Sequence, residues 1–345
     1  MRDREVLITG GSGYYGLLMI RRLIERGAKC KSFDLVPADD RPEEVKFFQG
    51  DVRYLEAVKE ASAGVDIVFH NVAHVPLTKD KELSESVNIP GTRNLLEAAL
   101  TQKVRKVVYT SSSAVFGAVK SNPVTEDTVL TPGEAYGRAK YEGEKLCLAY
   151  RDKGLNVSII RPLTIMGHGR LSIFQILFEW IREGRNVPVL GKGDNVYQFV
   201  HADDLAQACI LAALRPGGET YNCGTDRFGT MRASLQQVCD HAGNASKVIS
   251  VPMAPAVWGM KISTALGISP PGAYHALTYG RSLYFDITKT KTGLGWQPKY
   301  SNNEMFAQSR DWYLENREAV LRSPGPSHHR SAVKQGVLNI VKRLL

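Results

Sequence analysis

The chain has 345 residues, of which 43% are hydrophobic, and a formal charge of +9 at pH 7. This size and composition indicate a globular protein with a large core, built as one large α/β unit or as two domains. No apolar run approaches the roughly 18 residues of a membrane span, and no signal-like region precedes the first strand-like run, so we expect a cytoplasmic protein. Without a basic-aromatic module, the positive charge favours a phosphorylated small molecule or a solvated surface over nucleic acid.

The cysteines are scattered, odd in number and contain no C-x-x-C pair. This pattern predicts buried free thiols rather than disulfides, and no metal site is expected. The five are Cys30, Cys147, Cys209, Cys223 and Cys239.

A glycine-rich stretch follows the first apolar run and leads into a helical pattern, which predicts a strand, a tight turn and a helix. Gly10, Gly13 and Gly16 fall where the backbone must turn, approach a pyrophosphate and let the helix pack on the strand. Phosphate would lie at the helix N-terminus, so Tyr14 and Tyr15 join the predicted cofactor site. The alternative is an ordinary glycine-rich turn.

The next strand-like run ends in Asp34, about twenty residues beyond the glycines. A carboxylate in this place accepts hydrogen bonds from a ribose diol and repels a 2′-phosphate. It favours NAD over NADP, although Lys29, Lys31 and Arg41 lie nearby in the sequence.

Two further strand-like runs end in residues suited to a binding cleft. Asp51 and Val52 follow one of them, and Asp51 either accepts a hydrogen bond from the adenine amino group or caps the next helix. Val72, Ala73 and His74 follow the other, at the strand end where ligands of open sheets bind. Short β-branched runs alternate with helical patterns from residue 5 to about 165, which predicts an α/β fold with a doubly wound parallel sheet.

Tyr136 and Lys140 lie one turn apart on a predicted helix and share a face. An ammonium about 4 Å from a phenol contributes about 4 kcal/mol at an effective dielectric near 20, nearly three pK units, which allows a phenolate near neutral pH. A hydroxyl from Ser111, Ser112 or Ser113 would hold the substrate oxygen. The alternative is a half-buried aromatic side chain beside a solvated lysine.

Taken in order, these motifs resemble the extended short-chain dehydrogenase/reductase superfamily, in its NAD-dependent epimerase/dehydratase group. The resemblance implies that Ser112 is the catalytic serine, that Tyr136 is the general acid/base, and that Lys140 binds the ribose and lowers the pKa of the tyrosine. It also implies that Asn88 helps to order the active-site helix and a water.

The resemblance also extends to the Arg161-Pro162 pair, which is similar to a turn beside the nicotinamide in that family. The implied cofactor is NAD. The predicted cofactor-binding residues are Gly10, Gly13, Tyr14, Tyr15, Gly16, Asp34, Asp51, Val52, Val72, Ala73, Ser111, Tyr136, Lys140, Arg161 and Pro162.

The implied organisation is a Rossmann domain of residues 1–166, to which residues 194–224 return. A smaller, discontinuous C-terminal substrate lobe takes residues 167–193 and 225–322. Residues 323–345 form a connector and a basic amphipathic tail helix, predicted to dock on its own chain or on a second subunit; the alternatives are an anionic membrane surface or another partner.

Departures from the family pattern concern the substrate. Members that bind nucleotide sugars often carry an arginine where this chain has Tyr197, and an aspartate where it has Gln198. Arg281 is a second candidate for binding a diphosphate, and His74 stands where small apolar residues are common. The predicted substrate contacts are Ser113, His74, Tyr197 and Arg281.

The implied activity is the NAD-dependent oxidation of a secondary hydroxyl on a small molecule. A nucleotide-sugar 4-epimerase, which returns the hydride to the other face of the ketone, is the first hypothesis. The alternatives are a sugar or 3β-hydroxysteroid dehydrogenase that releases the ketone, and a non-catalytic NAD-binding regulatory protein. A 4,6-dehydratase is disfavoured because its two acids are replaced by Ser113 and Ala114. The resemblance further implies a homodimer that pairs helices over 85–102 and 136–154.

Overall fold

The computed structural model of the protein describes residues 1–73, 81–170, 174–253, 258 and 280–322. His74 and the predicted connector and tail at 323–345 lie outside the described residues.

A sheet of seven parallel strands forms the centre of the molecule. Its strands are β1 (Glu5–Thr9), β2 (Lys29–Asp34), β3 (Lys46–Gln49), β4 (Ile67–His70), β5 (Lys106–Thr110), β6 (Val157–Pro162) and β11 (Thr220–Cys223). Their order across the sheet is β11-β6-β5-β4-β1-β2-β3, so the chain reverses its direction of progress between β1 and β4. Ligands of doubly wound folds bind at the carboxyl ends of the strands at such a reversal. The predicted fold class is confirmed.

Helices cover both faces of this sheet. They are α1 (Tyr14–Ile24), α2 (Leu55–Ser62), α3 (Lys81–Asn88), α4 (Pro90–Thr101), α5 (Ala135–Asp152), α6 (Phe174–Arg182), α7 (Ala202–Leu214), α8 (Met231–Ala242), α9 (Thr288–Leu294) and α10 (Asn302–Arg322). Alternate side chains of β1 enter different cores: Val6 and Ile8 pack in one, and Leu7 packs in the other. Since successive side chains of a strand point to opposite faces, each face of the sheet buries its own apolar layer.

The single helix predicted over 85–102 is wrong. Helix α3 ends at Asn88 and α4 begins at Pro90. Proline has no N–H to donate and its ring clashes with the preceding turn, so it is accepted in the first turn of a helix and not in its interior.

Six short strands build three small sheets outside the central one. They are β7 (Thr164–Met166), β8 (Val187–Leu190), β9 (Val196–Tyr197), β10 (Phe199–His201), β12 (Gly229–Thr230) and β13 (Val248–Val251). Strand β7 pairs with β10, β9 with β12, and β8 with β13. The division of the chain into a cofactor domain and a substrate lobe stays a prediction.

The chain after residue 280 is fastened to α7 and to the strands before it. Trp296 is fully buried and its indole N–H donates to the carbonyl of Asp204 at 2.9 Å. The Asp204 carboxylate accepts the N–H groups of Lys299 and Tyr300 at 3.0 and 3.2 Å. The side-chain amide of Asn302 hydrogen-bonds to the backbones of β9 and β10. Late segments of the chain therefore complete the packing of early ones.

All five cysteines are buried free thiols, as predicted. Within the ranges that the structure describes, no helix combines the length and apolar character needed to cross a membrane.

Candidate active site

The loop between β1 and α1 has the geometry of a phosphate cradle. Gly10 has φ +70°, which favours glycine, and accepts the N–H of Gly13 at 3.1 Å. A Cβ on Gly16 would lie 2.0 Å from the Gly10 carbonyl oxygen, so glycine is required there. No side chain caps the start of α1. Its free N–H groups and the helix dipole therefore remain available for an anion.

The side chains of Tyr14 and Tyr15 are buried and turned toward the protein. The hydroxyl of Tyr14 donates to the carbonyl of His168 at 3.1 Å, and that of Tyr15 donates to Cys209 Sγ at 3.3 Å. Burial raises the pKa of both phenols. Their backbone N–H groups, rather than their phenols, thus face the position where a phosphate would bind.

Asp34 ends β2 beside the glycine loop. Its carboxylate accepts the N–H groups of Ser12 and Leu35 at 3.0 and 2.8 Å. Burial raises the pKa of this carboxyl, against the effect of the two N–H donors. Two of the three basic side chains nearby in sequence are engaged elsewhere, since Lys31 and Arg41 both donate to backbone carbonyls. The selection of a ribose diol by Asp34 stays a prediction.

The capping role considered for Asp51 is wrong. The N-cap position of α2 is Tyr54, and no side chain bonds there. The Asp51 carboxylate pairs instead with the guanidinium of Arg53 at 2.5 Å, which holds the pKa of the carboxyl below its usual range. The Asn94 amide fixes this loop by donating to the carbonyls of Val52 and Arg53. Asn94 had no assigned role in the sequence analysis.

A buried hydrogen-bond chain lies below the strand reversal. The Thr92 hydroxyl donates its proton to the Asn88 carbonyl at 2.8 Å. Its oxygen therefore accepts from Nε2 of His70, at 3.1 Å. In a neutral imidazole the other ring nitrogen, Nδ1, then accepts from the Thr9 hydroxyl, at 2.7 Å. Burial is what keeps the imidazole neutral. Burial, with a contribution from the Lys140 charge, lowers the pKa of His70 to about 3. These hydrogen bonds connect β1 and β4 to Asn88, the last residue of α3.

The end of β4 lies against the glycine loop. A Cβ added to Gly10 would lie only 3.1 Å from the Val72 nitrogen. The backbone at Val72, which precedes Ala73, therefore lies beside the cradle. The side-chain oxygen of Asn71 accepts the hydroxyl of Thr110 at 2.7 Å, which links β4 to β5.

Tyr136 and Lys140 lie near the start of α5, whose N-cap is Glu134. The Glu134 carboxylate accepts the N–H groups of Tyr136 and Gly137 at 2.8 and 2.6 Å, and so fixes the first turn. Tyr136 is half-buried, whereas Lys140 is buried and donates to the Thr110 carbonyl at 2.8 Å. Burial lowers the pKa of Lys140 to about 8. Glu134, an acid at a helix start, was not among the residues predicted from the sequence.

The three neighbouring serines differ in environment. The Ser112 oxygen accepts the Ala114 N–H at 3.2 Å, and Ser112 is the more exposed of the three. Ser111 and Ser113 are buried, and the Ser111 hydroxyl donates to Glu144 at 2.6 Å. Of these hydroxyls, that of Ser112 is best placed to meet a substrate.

Arg161 lies in a buried ion pair. Its guanidinium donates to both carboxylate oxygens of Glu144, at 2.9 and 2.7 Å, and to the Glu126 carbonyl at 3.0 Å. Pro162 ends β6 and is buried. The side chain predicted to contact the cofactor is therefore engaged with Glu144, a residue that the sequence analysis did not single out.

The predicted substrate residues lie in different surroundings. Tyr197 is 2% exposed and its hydroxyl lies 3.0 Å from Thr164 Oγ1. Arg281 is exposed, and its carbonyl accepts the side-chain amide of Asn195 at 3.2 Å. The contacts of these residues with a substrate stay predictions.

One group of side chains has the composition of a metal site. His168, His201 and Asp203 bring ligand atoms within 4.8 Å of one another in the described part of the chain. However, Asp203 pairs with Arg22 at 2.6 Å, and Nδ1 of His201 accepts the Asp203 N–H at 3.1 Å. These bonds engage Asp203 and Nδ1 of His201, whereas Nε2 of His201 is buried without a hydrogen bond to any residue that the structure describes.

A family model described as the NAD dependent epimerase/dehydratase family matches residues 6–224. The uncharacterized protein y4nG of Sinorhizobium fredii is 48% identical over 98% of this chain and 85% of its own length. Human sterol-4-alpha-carboxylate 3-dehydrogenase, decarboxylating, is 27% identical over 86% of this chain and 84% of its own. The structure of UDP-glucose 4-epimerase from Thermus thermophilus in complex with NAD aligns with a TM-score of 0.73 and 26% identity, covering 90% of this chain and 99% of that one. With the cradle, Asp34 and the Tyr136–Lys140 pair in place, the chain belongs to the NAD-dependent epimerase/dehydratase family and is an NAD-dependent enzyme of the extended short-chain dehydrogenase/reductase type.

Proposed function

We propose that this enzyme oxidises a secondary ring alcohol with NAD and releases the ketone, as a dehydrogenase of the 3β-hydroxysteroid type. The burial of Tyr197 carries this proposal. By family resemblance, an arginine at this position holds the diphosphate of a nucleotide sugar, whereas the phenol of Tyr197 is engaged with Thr164 inside the protein. The similarity to a human sterol 3-dehydrogenase over most of both chains supports the same substrate class.

The residues present fit the cofactor. The N–H groups at the start of α1 would hold the diphosphate, the Asp34 carboxylate would hold a ribose diol, and the Lys140 ammonium would hold the second ribose. When bound, NAD accepts the hydride from the carbinol carbon.

Tyr136 is proposed as the base that takes the hydroxyl proton of the substrate. Because the pKa of Lys140 is about 8, this lysine carries its charge at neutral pH, and its burial limits screening by water. The ammonium therefore favours the phenolate form of Tyr136. The Ser112 hydroxyl donates to the substrate oxygen and orients it, and Glu134 keeps the first turn of α5 in place.

The test is a panel of hydroxysteroids and nucleotide sugars, incubated with protein and excess NAD and followed by the near-ultraviolet absorbance of reduced nicotinamide. We expect equal amounts of ketone and reduced cofactor from a hydroxysteroid. Tyr136→Phe should lower the rate by about 10²–10⁴-fold with NAD affinity unchanged. Tyr141→Phe, on the same helix, is the control. A Tyr136→Phe variant with full activity would exclude the proposed base.

A nucleotide-sugar 4-epimerase is the second candidate. It is supported by the similarity to the Thermus thermophilus epimerase and by the exposed side chain of Arg281, a candidate for binding a diphosphate. Conversion of a nucleotide sugar without accumulation of reduced cofactor would establish it in place of the dehydrogenase.

A homodimer through α4 and α5 is also proposed. Leu148 on α5 is 47% exposed, which is consistent with a covered position in a dimer. A monomeric mass in light scattering would contradict it.

A further inference from the structure

Among the residues that the structure describes, Arg170 has no counter-ion, and it lies beside the cofactor cradle. It lies half-buried after β7, its Nε makes no hydrogen bond, and its side chain forms no ion pair with any residue that the structure describes. Burial lowers the pKa of the guanidinium, yet an arginine keeps its charge in proteins. A desolvated cation without an anion is costly, so this position favours the binding of an anionic ligand.

The guanidinium lies against the first residue of α1. Its central carbon is 5.7 Å from the centre of the Tyr14 ring, and Tyr14 is the first residue of α1. Two sources of positive potential, the start of α1 and Arg170, therefore meet at Tyr14.

The backbone that carries Arg170 is held on two sides. The Arg170 N–H donates to the Gly167 carbonyl at 3.3 Å, which closes a tight turn. The Tyr14 hydroxyl fastens this turn to α1 through the His168 carbonyl, and Gly167 N–H donates to Ser309 of α10 at 3.2 Å. The backbone position from which the Arg170 side chain extends is therefore fixed by the fold.

We infer that Arg170 binds the diphosphate of NAD, together with the free N–H groups at the start of α1. The diphosphate is the anionic part of NAD, and the planar fork of a guanidinium matches phosphate oxygens in charge and geometry. This assignment rests on the family's cofactor and not on the reaction. Its failure would leave the proposed dehydrogenation standing.

The experiment measures binding without turnover. Dissociation constants of NAD and of ADP-ribose, which keeps the diphosphate and lacks the nicotinamide, are determined by calorimetry for the unmodified protein, Arg170→Gln and Arg170→Lys. Arg185→Gln removes the same charge from an exposed arginine after α6 and is the control. Circular dichroism verifies that each variant is folded.

We expect Arg170→Gln to weaken both ligands by a similar factor of about ten or more, since a hydrogen-bonded charge pair is lost. Arg170→Lys keeps the charge and should retain part of the affinity, and Arg185→Gln should stay within about twofold of the unmodified protein. If Arg170→Gln binds ADP-ribose as tightly as the unmodified protein, the inference is overturned, whether or not NAD binding changes. If Arg170→Gln does not fold, Arg170→Ala and Arg170→Lys take its place. The inference is then overturned if both variants bind ADP-ribose as tightly as the unmodified protein.

Discussion

Replacing one member of the Glu144–Arg161 pair should destabilise the protein strongly. The two side chains are 3% and 7% exposed and share two hydrogen bonds. Removing one partner from a buried pair costs about 3–5 kcal/mol, because the other charge is left uncompensated. At about 2.1 cal/mol/K per residue, a chain of 345 residues has an unfolding entropy of about 0.7 kcal/mol/K. Glu144→Met and Arg161→Met should therefore each lower Tm by about 4–7 °C.

The double variant separates the ion pair from other effects. In the double variant, two apolar side chains replace the pair and leave no unpaired charge between β6 and α5. It should therefore recover most of the stability that each single variant loses. Urea and thermal unfolding of the four proteins give the coupling energy. Glu142→Met, which removes an exposed pair with Lys145 on the same helix, is the control and should cost less than about 0.5 kcal/mol. Single-variant losses below about 1 kcal/mol, or losses that simply add in the double variant, would refute the reasoning.

Three further predictions concern the cradle and the core. Asp34→Ser removes the carboxylate that repels a 2′-phosphate, so the affinity for NADP relative to NAD should rise about tenfold in fluorescence titrations; an unchanged ratio would contradict this. Gly16→Ala places a Cβ against the Gly10 carbonyl and should lower both Tm and NAD affinity, whereas Gly229→Ala enters open space and should change neither. Burial raises the pKa of Asp204 from 3.8 to about 6, so the folded state binds this proton more tightly and stability falls as pH rises from about 4 through 6. Asp204→Asn should make Tm less dependent on pH between about 4 and 6. Parallel curves of Tm against pH for this variant and the unmodified protein would contradict the prediction.

The sequence was sufficient to predict the cofactor half of the fold. Strands that are buried on both faces appear in the sequence as short β-branched runs, whereas the helices between them show a helical apolar repeat. The alternation of the two patterns indicates a parallel sheet. The glycine loop and Asp34 are local signals, since turn, phosphate site and ribose site follow within one strand–helix–strand unit.

Residues that act through distant partners were not predictable from one sequence. His70 ends an apolar strand, and its partners Thr9 and Thr92 lie 61 and 22 residues away. Glu144 lies on a helix whose other acids are exposed, and only the packing of α5 on β6 brings it to Arg161. The break at Pro90 was overlooked because the apolar pattern continues across it, although the residue type alone indicated a helix start.

The fastening of residues 296–302 to α7 has a consequence for how such an enzyme changes its specificity. The residues that the family model matches end at 224, but Trp296 packs into their core and donates to the Asp204 carbonyl. The Asp204 carboxylate accepts the N–H groups of Lys299 and Tyr300, which also lie beyond that limit. A fragment ending at 224 would expose this seam, so we expect it not to fold on its own. Replacing everything after residue 224 by a foreign module at a single junction would remove the same contacts. We therefore expect specificity to change more readily through single side chains or inserted loops than through exchange of that whole segment.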